Sequence, residues 1–488
     1  PAAGRRRGSS GEGGSRGAQA WQRRPKDVRL RPARSPTPNG KLREARNALT
    51  YHDDGGRRQT DGHRSARLRD RAADCHVQSV SECSQSMEAS EYSSEYSSGS
   101  SAEGGGAQKT KGKGSGGGEP SKDEIKHFDW HADMILHTRY RVIKLLGDGT
   151  FGRVLLAEDR KKKRQVGIKV IRNVEKYIRN AKREAEILKD IREADSKAKG
   201  CVRMHETFTH ESAEGNFFCL AFEVLGASLY DLLKQNRFRG FWVQDIQSIA
   251  QQMLEALVFL HDGLNLTHTD LKLENVLFQS QEAPIRAVFP REAAWQALHK
   301  ERQGPATRYV RPASTAVKLI DFGNATYELE HHSSIINTRQ YRAPEVILAL
   351  GWNERSDLWS VGCILMELYT GELLFRTHES LEHLVLMERS VETFPQPMLE
   401  SAAAHIKRDQ FLMQEPGTEH WRLRWPVEAS STSSQRHVQS QKALTALVLQ
   451  QHRSLADFVA SLLILEPARR PSAAAALMHP FLFERFLD

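Results

Sequence analysis

HTDLKLEN, residues 268–275, brings a carboxylate, a cation and an amide together within one short loop. A carboxylate can orient a hydroxyl group and accept its proton, a cation can lie beside a transferring phosphate, and an amide oxygen can bind Mg²⁺. The pattern gives these three tasks to Asp270, Lys272 and Asn275. It therefore predicts a loop that transfers phosphoryl groups with the help of a metal ion.

Two further motifs follow in the order that this chemistry requires. DFG (321–323) comes directly after the apolar run VKLI, which is typical of a buried strand, so Asp321 is expected to hold Mg²⁺ between two phosphates. APE (343–345) closes the segment 22 residues after Asp321. Together with HTDLKLEN, these motifs predict one phosphoryl-transfer site assembled from three parts of the chain.

A glycine-rich sequence, GDGTFGRV (147–154), lies upstream between two predicted strands. Its glycines would let backbone N–H groups approach phosphates without interference from a Cβ, although such a turn by itself is often only a tight hairpin. Lys169 follows in VGIK on the next strand, and Glu184 on the helix after it. This spacing indicates an ion pair that holds the lysine over the α and β phosphates.

Each string alone could arise by chance, but all of them in this order are typical of one superfamily. Residues from about 129 to 488 resemble the protein kinases, and in particular the CDC-like or LAMMER kinases of the CMGC group. The strings that carry the resemblance are TRQYRAPE (338–345), DFGNATYELEHHS (321–333), VILALGW (346–352) and EHLVLMER (382–389). The last is similar to the family motif EHLAMMER, with Val385 and Leu386 in place of Ala and Met.

The resemblance and the hydrophobic pattern predict an α+β, bilobal protein kinase fold. Residues 140–171 alternate apolar and polar side chains, which predicts three consecutive strands, and helical spacing occurs at 174–191, 242–261, 356–369 and 455–465. We expect a small β-rich N-lobe over 128–226 and a larger α-helical C-lobe over 227–488. Within the C-lobe we expect an insertion at 279–315, and the LAMMER motif with a family insert at 382–450.

The resemblance also implies which residues surround the nucleotide. Phe222 is expected to be the gatekeeper behind the adenine, the backbone of Glu223 and Leu225 the hinge that hydrogen-bonds it, and Leu277 the floor beneath it. Packing alone would also explain Phe222 and Leu277, and the two explanations are compatible. The complete prediction comprises the catalytic residues Asp270, Lys272, Lys169 and Glu184, the metal ligands Asn275 and Asp321, and the ATP-binding residues Leu146, Gly147, Gly149, Gly152, Val154, Lys169, Phe222, Glu223, Leu225 and Leu277.

Three more residues are expected to support the site without reacting. The resemblance implies that Glu345 and Arg470 form a buried ion pair that fixes the peptide-binding segment. It also implies that Asp357 anchors the catalytic loop from a core helix.

Three positions differ from the pattern of most protein kinases, and one of them, Leu273 in place of the usual Pro of the catalytic loop, is expected to have only a modest effect. Thr269 replaces the Arg that commonly precedes the catalytic Asp, so the positive pocket for an activation-segment phosphate is missing. CDC-like kinases share this form, and we expect that phosphorylation of the segment is not the main switch. Gly167 replaces the usual Ala over the adenine, which removes one methyl contact and leaves activity intact.

Residues 1–127 have a different composition from the rest of the chain. They hold 24 Lys and Arg against 16 Asp and Glu, and so carry +8 of the formal charge of +9. Their runs of Gly, Ser and Arg cannot bury enough apolar surface to offset chain entropy, so we expect a disordered tail. An inert linker is one alternative interpretation of its function, and nucleic-acid contact or nuclear targeting is another.

The remaining composition excludes several other classes of protein. The five cysteines are scattered, without a CxxC pair or a histidine at metal spacing, which indicates neither a disulfide framework nor a zinc site. No apolar run reaches the roughly 18 residues of a membrane span. We expect a soluble intracellular protein, although the chain begins at Pro1 and a targeting signal could precede it.

The resemblance implies an enzyme that uses ATP and Mg²⁺. CDC-like kinases phosphorylate Arg-Ser-rich splicing factors in the nucleus and autophosphorylate on Tyr, so we expect a monomeric dual-specificity serine/threonine kinase that regulates mRNA splicing. The nucleus is the expected location, with the cytoplasm as a second one. The alternatives are a related CMGC kinase with other substrates, a kinase-fold scaffold, and a nucleic-acid-binding protein with a regulatory kinase domain. The intact catalytic set argues against the scaffold.

Overall fold

The computed structural model of this chain describes residues 128–195, 200–298, 308–404 and 408–486. The tail at 1–127, for which disorder is predicted, lies outside the described residues, as do residues 299–307 of the insertion. Within the described ranges, no helix combines the length and the apolar character needed to cross a membrane. The cysteines in these ranges, Cys201, Cys219 and Cys363, are buried free thiols.

An antiparallel six-stranded sheet forms the N-lobe, with the strand order β1-β2-β3-β4-β6-β5. Leu155 and Ile168 are fully buried in the core on one face, whereas their neighbours Val154 and Lys169 point to the other face, as the alternation of side chains along a strand requires. The three strands predicted from the sequence are β2, β3 and β4. The bounds are β1 Ile135–Leu136, β2 Tyr140–Gly149, β3 Gly152–Asp159, β4 Arg164–Ile171, β5 Met204–Ser212 and β6 Gly215–Phe222.

One long helix, α1 (Glu175–Ala194), packs against this sheet. Its buried residues recur every three or four positions and form a single face: Ala181, Glu184, Ile187, Leu188 and Ile191. Four of the five are apolar, and the exception is Glu184, which is only 4% exposed. An unpaired carboxylate would be costly at such a position, so the helix must bring Glu184 to a cation.

The C-lobe is mainly helical and is centred on α3 and α6. The bounds are α2 Leu229–Gln235, α3 Val243–Val258, α4 Glu292–Leu298, α5 Pro344–Ile347, α6 Arg355–Thr370, α7 Ser380–Ser390, α8 Gln396–Ala403, α9 Arg408–Phe411, α10 Thr432–Ser440, α11 Leu444–Leu447, α12 Arg453–Leu462 and α13 Ala473–Ala476. The helices predicted at 242–261, 356–369 and 455–465 correspond to α3, α6 and α12. Gly362 lets α6 pack closely, because a Cβ there would lie 2.7 Å from a methyl carbon of Leu463.

Short strand pairs bring distant parts of the C-lobe together. The bounds are β7 Leu266–Thr267, β8 Val276–Phe278, β9 Ile285–Ala287, β10 Tyr309–Arg311, β11 Val317–Leu319, β12 Thr326–Tyr327, β13 Leu412–Gln414 and β14 Trp421–Leu423. β7 pairs with β12, and β8 pairs with β11. Because the loop 268–275 lies between β7 and β8, and the motif 321–323 between β11 and β12, these pairings bring the two motifs close together.

The 279–315 insertion is anchored to the start of α3. β9 pairs with β10, and Arg311 at the end of β10 makes two hydrogen bonds to the carboxylate of Asp245, at 2.9 and 2.6 Å. The guanidinium group of Arg311 also lies 4.1 Å from the ring centre of Trp242. A bidentate ion pair over an aromatic ring is a strong local contact, so the described base of the insertion is a fixed part of the C-lobe.

The LAMMER-like string 382–389 lies on α7 and is mostly buried. Leu384, Leu386 and Met387 are fully enclosed, and the hydroxyl group of Ser434 on α10 donates a hydrogen bond to Glu382. The motif therefore packs α7 against α10 within the C-lobe, which is a structural role.

Candidate active site

The catalytic loop is held in place by α6. Asp357 is fully buried near the start of that helix, and its two carboxylate oxygens accept the backbone N–H groups of His268 at 2.8 Å and Thr269 at 3.0 Å. Thr269 adopts a left-handed φ of 67°, and its hydroxyl group donates to the carbonyl of Asn324 at 2.8 Å. Thr269 thus links the loop to the segment after the DFG motif.

Asp270 has a different partner at each carboxylate oxygen. Its Oδ1 accepts the backbone N–H of Thr338 at 3.1 Å and the Thr338 hydroxyl at 2.8 Å, while its Oδ2 accepts Lys272 Nζ at 2.9 Å. Lys272 Nζ also donates to Thr338 Oγ1 at 3.1 Å. The three side chains form a closed triangle that fixes the orientation of the carboxylate.

Thr338 is the residue of this triangle that sequence reasoning missed as a site residue. In the sequence, Thr338 is the first residue of TRQYRAPE, the string that resembles the CMGC group. That string was the one signal in the sequence that pointed to Thr338. It could not show the contact with Asp270, because only the fold brings this hydroxyl group to the catalytic loop.

Lys169 of β4 meets Glu184 of α1, as their spacing predicts. Lys169 Nζ lies 2.9 and 3.1 Å from the two Glu184 oxygens and 3.5 Å from Asp321 Oδ1. Burial lowers the pKa of Lys169, but the two carboxylates outweigh it and raise the pKa above its usual value. For Asp321, burial raises the pKa, and Lys169, His268 and Lys272 together lower it below the usual value. Both groups are therefore charged at neutral pH.

Asn275 and Asp321 are the residues that could hold a divalent cation. Asn275 Nδ2 donates to the backbone carbonyl of Asp270 at 2.8 Å, which orients the amide and leaves its oxygen for a metal. In the described part of the chain, no group of three or more His, Cys, Asp or Glu side chains could hold a metal ion by itself. Since Mg²⁺ is commonly held by one or two protein groups together with substrate phosphates, this donor set fits a magnesium-nucleotide complex.

The glycine-rich turn joins β2 to β3, and different physical constraints explain its individual glycines. A Cβ on Gly152 would lie 2.1 Å from the Val170 carbonyl oxygen, so the packing of the sheet requires glycine there. At Gly147, no described atom lies within 4 Å of an added Cβ. Packing does not explain that glycine, whereas close approach of a ligand to the backbone does. In the sheet, Val154 pairs with both Gly147 and Lys169, so the three lie side by side.

The predicted adenine pocket lies where β6 ends. Phe222 is the last residue of β6 and pairs in register with Gly167 of β4. The side chain of Glu223 is already used, because Oε1 accepts Arg203 N–H at 2.8 Å and Lys318 Nζ at 2.5 Å. The backbone N–H of Glu223 also donates to the Arg203 carbonyl at 3.0 Å, so its own carbonyl is the group left for a base. The remaining predicted contacts are Leu225, which packs against the core, Leu277 on β8, and Leu146, which is 46% exposed on β2.

The buried ion pair implied at the edge of the site is present. Arg470 makes two hydrogen bonds to Glu345, at 2.9 and 3.0 Å, and both side chains are completely enclosed. This pair joins the end of the APE motif to the segment before α13.

Comparison with known proteins agrees with this fold. Residues 140–482 match the protein kinase domain family. The chain is 39% identical to the serine/threonine-protein kinase AFC2 of Arabidopsis thaliana over 77% of this chain and 84% of that protein. It is 37% identical to the dual specificity protein kinase CLK2 of Homo sapiens over 74% and 67% of the two chains. A crystal structure of a kinase domain, 42% identical, covers 74% of this chain and all of that one with a TM-score of 0.65.

The fold, the site and these matches define the class: the chain is a protein kinase, a phosphotransferase with a β-rich N-lobe and a helical C-lobe. Within that class it belongs to the CDC-like, or LAMMER, kinases of the CMGC group.

Proposed function

We propose that this chain is a dual-specificity kinase that phosphorylates Ser and Thr residues of Arg-Ser-rich splicing factors and its own Tyr residues. ATP with Mg²⁺ supplies the phosphoryl group and the cation that offsets its charge. Asn275 and Asp321 hold the cation, and Lys169, oriented by Glu184, holds the α and β phosphates. The glycine loop and the hinge fix the nucleotide at its two ends.

The chemical step depends on position and charge. Asp270 orients the substrate hydroxyl for in-line attack and accepts its proton, while Lys272 stabilises the charge on the transferring group. Support comes from the closed contacts around Asp270, because Thr338 and Lys272 leave its carboxylate one orientation. A pre-oriented base avoids reorganisation when the substrate arrives.

The observation that carries the substrate class is a cluster of carboxylates next to the catalytic loop. Burial is the main cause that raises the pKa of Glu367, to about 8; the negative charges of Glu274 and Glu372 also raise it, whereas the Tyr341 hydroxyl group, which donates to Glu367 at 2.6 Å, lowers it. Burial likewise raises the pKa of Glu274, and the charges of Asp270 and Asp231 add to that effect. Glu274 is an exposed member of this cluster, and a guanidinium group from a substrate would pair with it through charge-assisted hydrogen bonds. Arginine beside the acceptor serine is what Arg-Ser repeats provide.

Membership of the CDC-like family supports a nuclear location and a role in mRNA splicing, with the cytoplasm as a second location and a monomer as the working form. The basic, Ser-rich tail at 1–127 is consistent with nuclear partners and is the one part of the chain for which nucleic-acid contact is proposed. A related CMGC kinase with other substrates is the second candidate, because TRQYRAPE is common to the group.

The deciding experiment measures transfer of labelled γ-phosphate from ATP and Mg²⁺ to an Arg-Ser repeat peptide, its Lys-Ser analogue and a generic basic protein. Asp270→Asn should abolish transfer to all three. Preference for Arg-Ser over Lys-Ser, reduced in Glu274→Gln, supports the assignment. Transfer to the generic protein alone would keep the kinase and remove the splicing-factor substrates, and no transfer by folded protein would favour a scaffold.

A further inference from the structure

The segment after the DFG motif contacts helix α1 at two places. Arg183 Nη2 lies 2.5 Å from Glu330 Oε2 and also donates to the Ala325 carbonyl at 3.1 Å. Tyr327 donates its hydroxyl to Asp190 Oδ2 at 2.7 Å. We call the four side chains Arg183, Asp190, Tyr327 and Glu330 the α1 latch.

The latch holds the helix that carries the phosphate-positioning glutamate. Arg183 is the immediate neighbour of Glu184, and Asp190 lies seven residues beyond Arg183, two helical turns further along the same side. Two contacts separated along the axis resist both translation and rotation of a helix. A rotation of α1 would withdraw Glu184 from Lys169, to which it is hydrogen-bonded at 2.9 Å.

The other side of the latch is fixed to the C-lobe. Tyr327 belongs to β12, which pairs with β7 directly before the catalytic loop. The backbone N–H of Glu328 donates to the Asn265 carbonyl at 2.9 Å, and the N–H of Tyr327 donates to Glu330 Oε2 at 3.2 Å. The latch therefore connects α1 of the N-lobe to the strands that frame Asp270.

In many kinases, placement of the Lys–Glu pair depends on phosphorylation of the activation segment. Here Thr269 supplies no cation for such a phosphate, and Arg183 is already paired with the carboxylate of Glu330. We propose that Arg183, Asp190, Tyr327 and Glu330 are positioning residues that hold Glu184 against Lys169, with Glu330 providing the negative charge that a phosphate provides elsewhere. The proposal rests on the assignment of Lys169 and Glu184 as the phosphate-positioning pair.

Charge reversal tests the latch in the full chain. Arg183→Glu and Glu330→Arg each place two like charges at the former ion pair, and we expect kcat to fall about tenfold in each, equivalent to about 1.4 kcal/mol in the barrier. The double exchange restores opposite charges and should recover kcat to within about threefold of wild type. Tyr327→Phe removes one hydrogen bond and should lower kcat less than either reversal.

A matched control is available on the same helix. Arg179 forms an ion pair with Glu175 at 3.1 Å on the exposed side of α1. This pair lies within the helix and does not involve the segment after the DFG motif. Arg179→Glu should leave kcat, KM for ATP and KM for the peptide unchanged. Wild-type enzyme treated with phosphatase should retain its activity, and the melting temperature of every variant should be measured so that loss of folded protein is distinguished from loss of positioning.

The outcomes separate the latch from the site assignment beneath it. Full activity in Arg183→Glu and Glu330→Arg, with Glu184→Gln inactive, would overturn the latch and keep the site. A double exchange as slow as the single variants, at an unchanged melting temperature, would also overturn it. Full activity in Glu184→Gln would remove the premise, and loss of wild-type activity after phosphatase treatment would show that a phosphate, not Glu330, supplies the charge.

Discussion

The indole ring of Trp352 stacks on the imidazole ring of His332, with the ring centres 4.1 Å apart and the planes 11° from parallel. The indole N–H also donates to the carbonyl of Ser333 at 2.7 Å. These two contacts join the end of DFGNATYELEHHS to the end of VILALGW. No pattern in the sequence indicates that these two strings meet. They fix the activation segment directly beyond the α1 latch.

Trp352→Ala should therefore loosen the peptide-binding side of the site. An aromatic pair and one hydrogen bond contribute about 0.5–1.5 kcal/mol each, so we expect kcat/KM for a peptide to fall about fivefold to about 150-fold while KM for ATP stays unchanged. Trp352→Phe keeps the aromatic stack on His332 and should therefore lower kcat/KM for the peptide less than Trp352→Ala does. Steady-state kinetics with both substrates varied gives the answer, and an equal loss in the two variants would show that stacking contributes nothing.

Thr338→Ala should lower kcat because Asp270 and Lys272 lose their shared partner. We expect about a tenfold decrease, since a hydrogen bond to a charged group is worth about 1.5–3 kcal/mol and the backbone N–H contact remains. Thr338→Ser keeps the hydroxyl group and should retain most of the activity. Single-turnover measurements isolate the chemical step, and a change confined to peptide KM would contradict the role in orienting the base.

The pKa of Glu367, raised to about 8 from a usual value near 4.5, gives a pH dependence with a definite sign. Between these two values the folded protein binds a proton that the unfolded chain does not, so the contribution of this group to the free energy of unfolding falls as pH rises from about 4.5 to 8. Glu367→Gln removes that dependence. The difference in melting temperature between the variant and wild type should therefore shift in favour of the variant as pH increases across this range, by about 2–4 °C for each kcal/mol of unfolding free energy.

Gly167 and Gly152 should respond in opposite ways to the same change. A Cβ on Gly167 would approach nothing closer than the Glu223 carbonyl oxygen at 3.9 Å, so Gly167→Ala fits and adds a contact over the adenine. We expect KM for ATP to fall about twofold to threefold at constant kcat. Gly152→Ala places the same carbon 2.1 Å from a backbone oxygen and should lower the melting temperature as well as activity.

Much of the site could be predicted because its chemistry requires particular residue types at short spacings. HTDLKLEN and DFG single out Asp270, Asn275 and Asp321 as candidates from sequence positions alone, and the alternation of β2, β3 and β4 indicates the sheet that carries Lys169. The predicted helix at 174–191 differs from α1 by a few residues at its C-terminal end, since side-chain periodicity does not define where a helix ends. Among the short strands β7 to β12, the apolar run VKLI indicated β11, which is confirmed, whereas the others could not be predicted, because two or three residues carry no period.

The sequence by itself determined the class of chemistry, the two lobes and the residues of the individual motifs, since each of these is written in a local pattern. Only the tertiary structure decided which motifs meet. Thr338 reaches Asp270 across 68 residues of chain, and Glu330 reaches Arg183 across 147. Such contacts depend on the packing of whole elements, and no local spacing encodes the distance between two side chains so far apart in sequence. The orientation of the Asp270 carboxylate and the position of α1 are therefore properties of the fold.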